Sequence, residues 1–317
     1  MINPATVFAA TWVDGLFVFT GKTRRHELDG QVVTGLVESR KGGVLAIVDG
    51  HSLCQRNSQG LWSTIATTDS NLSCLVAVDD AIYVGTDDAR VLRMRERGSV
   101  EELPGFDSVQ GRGMWYAGSA VIDGQRLGPP LGVRSMAATS DGSVLLANVH
   151  VGGTPRSIDG GVTWQPTIAI DSDVHEVCAH PVQPNIVVAA AAIGLCISRD
   201  GGATWTVEQE GLHAFYCSAV ALSESDILIA ASTDHFATEG AVYRRRIEGN
   251  DPLEPVRGLP RWLKGIVDTG CIATHGSVIA IADKAGNLYL SEDGGNSWRT
   301  ESGLPTLSKL IVVGTES

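Results

Sequence analysis

Three histidines stand out: His150 in ANVHVGG, His175 in SDVHEV and His213 in GLHAFY. Imidazole nitrogens are good ligands for divalent transition metals, and a nearby carboxylate such as Glu176 extends the donor set. Arg134 and Arg156 flank His150 in the chain. A guanidinium grips a carboxylate or phosphate through two parallel N–H···O bonds. Tyr216, Asp234, His235, Lys264 and Asp268 add further polar groups at similar points of the chain. The chemistry these types offer is metal binding, anion binding, or metal-assisted proton transfer. For any of it to occur, distant segments must converge on one place.

A repeat supplies the convergence. SIDGGVTW (residues 157–164) recurs as SRDGGATW (198–205) and SEDGGNSW (291–298), with a worn copy QRNSQGLW at 55–62. The closing tryptophans, Trp62, Trp164, Trp205 and Trp298, are spaced by close to two, one and two units of about 46 residues, the range of a repeat architecture. Asp-Gly-Gly is turn chemistry: the glycines accept positive φ, and the Asp side chain takes hydrogen bonds from backbone N–H groups a few residues on. GLCI precedes Ser198 and NLYL precedes Ser291, so each copy reads as a β-hairpin with its base packed by the tryptophan. On this reading Asp159, Trp164, Asp200, Trp205, Asp293 and Trp298 are structural.

The pattern resembles the Asp-box, or BNR repeat, S-x-D-x-G-x-T-W, and the resemblance covers nearly the full chain. It implies an all-β, sialidase-like β-propeller, similar also to WD40/YVTN/BNR-like bacterial proteins, with the box a clip far from the ligand site. True sialidases add an early F/Y-R-I-P segment, three arginines on the substrate carboxylate, an Asp acid/base and a Tyr–Glu pair. This chain has no R-I-P segment, and its early arginines, Arg24 and Arg25, fall in an outer strand. The resemblance therefore carries the fold and not sialidase activity. Related families include xyloglucan-degrading enzymes, sortilin-type receptors and photosystem assembly factors, so the fold does not choose a function.

Seven blades are expected in one domain over residues 1–317. Six run in order: Val32 to Asp69, Leu72 to Phe106, Arg134 to Ile170, Val174 to Leu212, Phe215 to Pro260 and Gly265 to Pro305. The seventh is composite, with LSKLIVV from the C-terminal end as inner strand and TVFAATW, GLFVFT and RRHELD from the N-terminal end. Such joining closes the ring. Residues 108–130 do not fit the repeat and read as an irregular upper-face insertion, a lid or an inert plug, anchored by Trp115 and Tyr116.

In a four-stranded meander the repeated turns lie on the lower face, and second-to-third and fourth-to-first connections lie on the upper. This sends His180 and His275 to the lower face and His26 to an outer strand. His51, His150, His175, His213 and His235 go to the upper face, with His150, His175 and His213 from adjacent blades at the channel mouth. Arg134, Glu176, Tyr216, Asp234, Lys264 and Asp268 join them, with Arg156 just below the His150 loop. A divalent metal on His150, His175 and His213 is one expectation; an anionic small molecule on Arg134 is another.

Net charge is −12 without a basic stripe, which argues against nucleic-acid binding; Arg244–Arg246 reads as a solvated outer strand. No segment reaches the ~18 apolar residues of a membrane span, and the first residues, MINPATVFAATWVDG, do not read as a signal peptide. Six cysteines lack metal-type spacing, and Cys74, Cys178, Cys217 and Cys271 fall in crowded inner strands as small hydrophobes. A cytoplasmic protein with reduced thiols is expected. Two classes of function stay open. One is a propeller that binds a small molecule or protein on its upper face. The other is a metal-dependent lyase or hydrolase at the same mouth.

Overall fold

The computed structural model describes residues 5–39, 42–95, 99–116, 120–122, 125–127 and 131–314. Seven antiparallel blades form a ring, as the repeat implies. The inner strands of blades 1 to 6 are Val33–Glu38, Leu72–Val78, Val133–Ala138, Val174–Ala179, Tyr216–Leu222 and Ile272–His275. Blade 7 is the composite one: Leu307–Val313 lies inside, then Thr6–Thr11, Leu16–Thr20 and Thr23–Glu27 outward. Thr6 pairs with Val313 and Ala10 with Lys309. Each inner strand packs on the next, and Leu307–Val313 packs on those of blades 6 and 1, which closes the ring. No helix is long and apolar enough to cross a membrane among the described residues.

The core lies between blades. Val188, Ala190, Leu195 and Ile197 of blade 4, for example, pack on Val220, Ile227 and Ile229 of blade 5. Near the axis space is short, and the alanine- and valine-rich second strands, such as Val187–Ala191, are completely buried.

The three intact SxDGGx[ST]W turns explain their own sequence. Ser157, Ser198 and Ser291 each bond the Asp two residues on and accept from the second glycine N–H. Asp159, Asp200 and Asp293 in turn accept from the backbone and hydroxyl of Thr163, Thr204 and Ser297. The hydroxyls and N–H groups hold the Asp293 carboxyl down at about 2, and the same donors outweigh burial to hold Asp200 there. Gly202 has φ +83°, and a Cβ there would sit 2.5 Å from Leu146 of the preceding blade. Only glycine fits both constraints.

These turns are also inter-blade clips. The first glycine carbonyl accepts from the preceding blade every time: Gly160 from Tyr83 Oη (3.2 Å), Gly201 from Arg156 Nε (2.8 Å) and Gly294 from Arg244 Nη1 (2.5 Å). The worn copy keeps the habit differently. Trp62 and Arg56 of blade 1 both donate to Glu27 of blade 7 at 2.8 Å. Burial pushes the Glu27 carboxyl up, but these donors prevail and hold it below its ordinary value.

Trp115 is buried against Phe106 (ring centroids 5.6 Å) with Arg112 over its ring, so the insertion is fastened to blades 2 and 3. The Tyr116 backbone bridges Val151, next to the His150 loop. Residues 120–122 and 125–127 pair as a short hairpin. Residues 117–119, 123–124 and 128–130 of the expected lid or plug lie outside the described residues.

Candidate functional site

The upper ends of the inner strands share a device that no single segment of the sequence announces. In blades 1 to 5 and 7 the register between first and second strands slips by one residue. The slip leaves Thr34, Ser73, Arg134, His175, Ser218 and Ser308 outside the ladder, as β-bulge residues re-aimed sideways. Three of them clasp the next blade. Ser73 Oγ donates to the Val133 carbonyl (2.6 Å), Ser218 Oγ to that of Val267 (2.6 Å), and Ser308 Oγ to that of Val33. A small hydroxyl is the natural residue for this reach. Thr34 has the hydroxyl, but its Oγ1 is buried without a hydrogen bond, and blades 3 and 4 depart in residue type, with Arg134 and His175.

His175 keeps the clasp with a different atom. Its Nδ1 lies 2.6 Å from the Cys217 carbonyl, which can only accept, so Nδ1 carries the proton. That hydrogen bond fixes the ring and turns Nε2 toward Asp173 Oδ2 at 3.5 Å. On the other side of the carboxylate, His150 Nε2 lies 3.4 Å from Asp173 Oδ1. The ligating atoms of all three residues lie within 4.8 Å of one another. His175 is 1 % exposed, and its Nε2 and Asp173 Oδ1 are buried without a hydrogen bond. Asp173 follows a short 3₁₀ turn, Ile170–Ser172, and adopts the left-handed conformation (φ 47°). Burial pushes its carboxyl up, but His175, His150 and Arg134 outweigh that and hold it below its ordinary value.

Arg134 makes no clasp of this kind. It crosses the mouth, donating from Nη2 to Thr269 Oγ1 (3.3 Å), with Asp268 Oδ1 3.8 Å from the same nitrogen. It lines a cavity of about 690 Å³ at the upper end of the channel, shared with Trp12, Asn71, Ser73, Asp268 and Lys309. Lys309 binds Glu176, which is buried and also accepts from Val220 N (3.0 Å). Burial would lower the Lys309 ammonium, yet the Glu176 carboxylate raises it above its usual value. Tyr216 packs tilted against His175 (centroids 4.5 Å). Burial pushes its phenol up to about 12, with Arg134 opposing and Asp173, Asp268 and Asp234 adding to the rise.

The structure thus brings together His150, His175, Arg134, Tyr216 and Asp268, with Glu176 deeper in the channel. Asp173 and Thr269 escape sequence reasoning. The dipeptide spacing Asp173-x-His175 at the head of an inner strand is the available signal for the first.

Other candidates go elsewhere. His213 is outside the metal-type cluster: its Nδ1 meets Tyr243 Oη at 2.7 Å, and its ring lies against Trp262. Burial and the Arg261 charge lower its basicity. Arg156 is a lower-face clip, not a mouth residue. Its strand, Pro155–Ser157, is only three residues long, so the side chain reaches the next blade's turn. Lys264 pairs through its backbone with Glu239 of blade 5, and the first strand of blade 6 begins only at Ile272. Asp234 and His235 are exposed but stay beside Tyr216: the His235 ring lies 6.2 Å from that of Tyr216 and packs against Phe236, and Asp234 adds to the rise of the Tyr216 phenol. Arg245 is buried on Glu208, so the basic run is not wholly solvated. All six cysteines are free, and burial drives the Cys217 thiol up to about 12, which disfavours the thiolate and suits the small-hydrophobe role.

No protein-family model and no curated protein matches the chain. Solved structures do. A candidate 6-phosphogluconolactonase from Bacteroides uniformis has a TM-score of 0.64 at 12 % identity, covering 98 % of this chain and 100 % of its own. The GH74 enzyme of Niastella koreensis has a TM-score of 0.61 at 15 % identity and 95 % coverage, and the WD40 propeller domain of Doa1 has 0.60 at 12 %, covering 97 % of this chain and 93 % of its own. This chain spans about half of that GH74 enzyme, 47 % of its length. These likenesses define a protein of the β-propeller class and carry the fold alone.

Proposed function

We propose that this propeller binds a small molecule bearing a carboxylate or phosphate at the upper mouth of its channel, anchored by Arg134. The observation that carries the reading is the broken clasp. Where Ser73, Ser218 and Ser308 tie blade to blade, Arg134 turns into a cavity of about 690 Å³. That volume is in the range of small-molecule sites, roughly 300–1,000 Å³. Both contacts of Arg134 use Nη2, which leaves donors of its fork for a planar anion. The SxDGGx[ST]W turns, read as Asp-boxes, act here as clips remote from ligand. A screen of carboxylates and phosphates by thermal shift tests the site. Binders should lose at least about tenfold in affinity on Arg134→Ala, consistent with a charge-assisted bond. Binders indifferent to that change would put the site elsewhere.

A second reading, a metal-dependent lyase or hydrolase at the same mouth, is favoured by one observation. Two imidazoles and a carboxylate stand beside Arg134, and His175 Nε2 and Asp173 Oδ1 are buried without hydrogen bonds. The neighbours named as GH74 enzymes and as a lactonase keep an enzymatic role in view, through fold alone.

A further inference from the structure

We infer that His150, Asp173 and His175 form a binding site for one first-row divalent transition ion, such as Zn²⁺, with its open face toward the channel mouth. The site stands on this cluster alone and is independent of the anion reading.

The geometry fits an ion better than it fits the residues alone. Metal–ligand bonds of about 2.1 Å in a tetrahedron put ligand atoms about 3.4 Å apart. The two His–Asp separations are 3.4 and 3.5 Å, longer than good hydrogen bonds. The widest separation in the group does not exceed 4.8 Å, so a rotation of roughly an ångström closes the set.

The surroundings support it. Metal-bound histidines commonly donate their other N–H to a carbonyl, which fixes tautomer and aim. His175 Nδ1 does this to Cys217 O, leaving Nε2, on a side chain 1 % exposed, pointing at Asp173 without a hydrogen bond. A buried imidazole nitrogen without a hydrogen bond, together with a buried oxygen, likewise without one, on the carboxylate it faces, forms a donor set for a cation. Two imidazoles and one carboxylate suit Zn²⁺, Fe²⁺, Co²⁺ or Ni²⁺ over Mg²⁺ or Ca²⁺, which prefer all-oxygen shells. Asp173, 28 % exposed against 9 % and 1 % for the histidine side chains, marks the side from which the ion reaches solvent and any ligand on Arg134.

The test uses the full chain without a polyhistidine tag. Zn²⁺ is titrated by calorimetry, and Co²⁺ is followed by its visible ligand-field bands. Wild type should take one ion per chain with an intense, low-symmetry Co²⁺ spectrum. Asp173→Asn and His150→Asn should each weaken Zn²⁺ binding at least about tenfold, while His213→Ala should leave it unchanged. Both substitutions fall outside the strands, so they keep the test open should His175→Asn fail to fold. The assignment is overturned by a wild type that binds no ion beyond the Asp173→Asn level. It is equally overturned by binding that depends on His213 and not on Asp173. Anion binding by metal-free wild type that is lost on Arg134→Ala would leave the Arg134 reading standing whichever way the metal titration goes.

Discussion

On the lower face, Asp159, Asp200 and Asp293 have both carboxylate oxygens bonded within their own turns. On the upper face, Asp173 lies between two imidazoles with one buried oxygen that makes no hydrogen bond. The same residue type thus serves two ends. Satisfied polar groups in repeated positions lower the energy of the fold. Unsatisfied ones at a position where the repeat is broken are kept against that trend, which is where function is expected. The inner-strand bulges make the point within a single face. Ser73, Ser218 and Ser308 bind neighbours, whereas Arg134 and His175, in adjacent blades, give that device up or alter it.

Three further experiments, away from the mouth, can break the contrast. The largest effect should come from the closure that both faces share. Deleting residues 308–317 removes most of the inner strand of blade 7, with its pairing to Thr6–Thr11. The Tm should fall by more than about 10 °C, or cooperative melting should vanish. An unchanged Tm would mean that ring closure supports neither face.

A lower-face change should cost stability and nothing else. Asp200→Ala strips the turn bonds of Ser198, Ala203 and Thr204. A fall in Tm of about 2–6 °C is expected, with affinity at the upper mouth unaltered. Weakened binding with an intact Tm would erase the distinction between the faces.

The smallest effect is in pH. The Asp200 carboxyl sits at about 2 when folded, against roughly 3.9 in an unfolded chain. A depressed folded value contributes stability that is complete above the unfolded value and is lost as pH falls through the folded one. The Tm gap between wild type and Asp200→Asn, followed by calorimetry, should therefore hold from pH 7 to about 5 and narrow between about 4 and 2. A gap that closes near neutrality would assign the stabilisation to some other group.

The ring, its seven blades and the composite closure were legible because turn chemistry and strand alternation are local. The terminal LSKLIVV reads as a strand wherever it goes, and only one blade lacked an inner strand. The mouth was legible in part. His150, His175 and Arg134 follow from topology, since loop direction decides the face. Asp173 was hidden because a left-handed turn residue leaves no periodic trace. The hydroxyl positions of V-T-G, L-S-C, C-S-A and L-S-K stand in the sequence, as do their exceptions V-R-S and V-H-E. A bulge, however, is defined by register against a partner strand, which no single segment encodes. Arg156 and His213 were misplaced for a third reason. Side-chain reach decided both, toward Gly201 in one case and Tyr243 in the other.

The composite blade also governs how the chain is made. Thr6–Thr11 leaves the ribosome before the six other blades, and its partner Leu307–Val313 leaves after them. The apolar strand Leu16–Thr20 must wait, its blade incomplete, while those six are synthesised beside it. Domains otherwise fold largely as they emerge. Here the final step comes only when the last inner strand is free to dock.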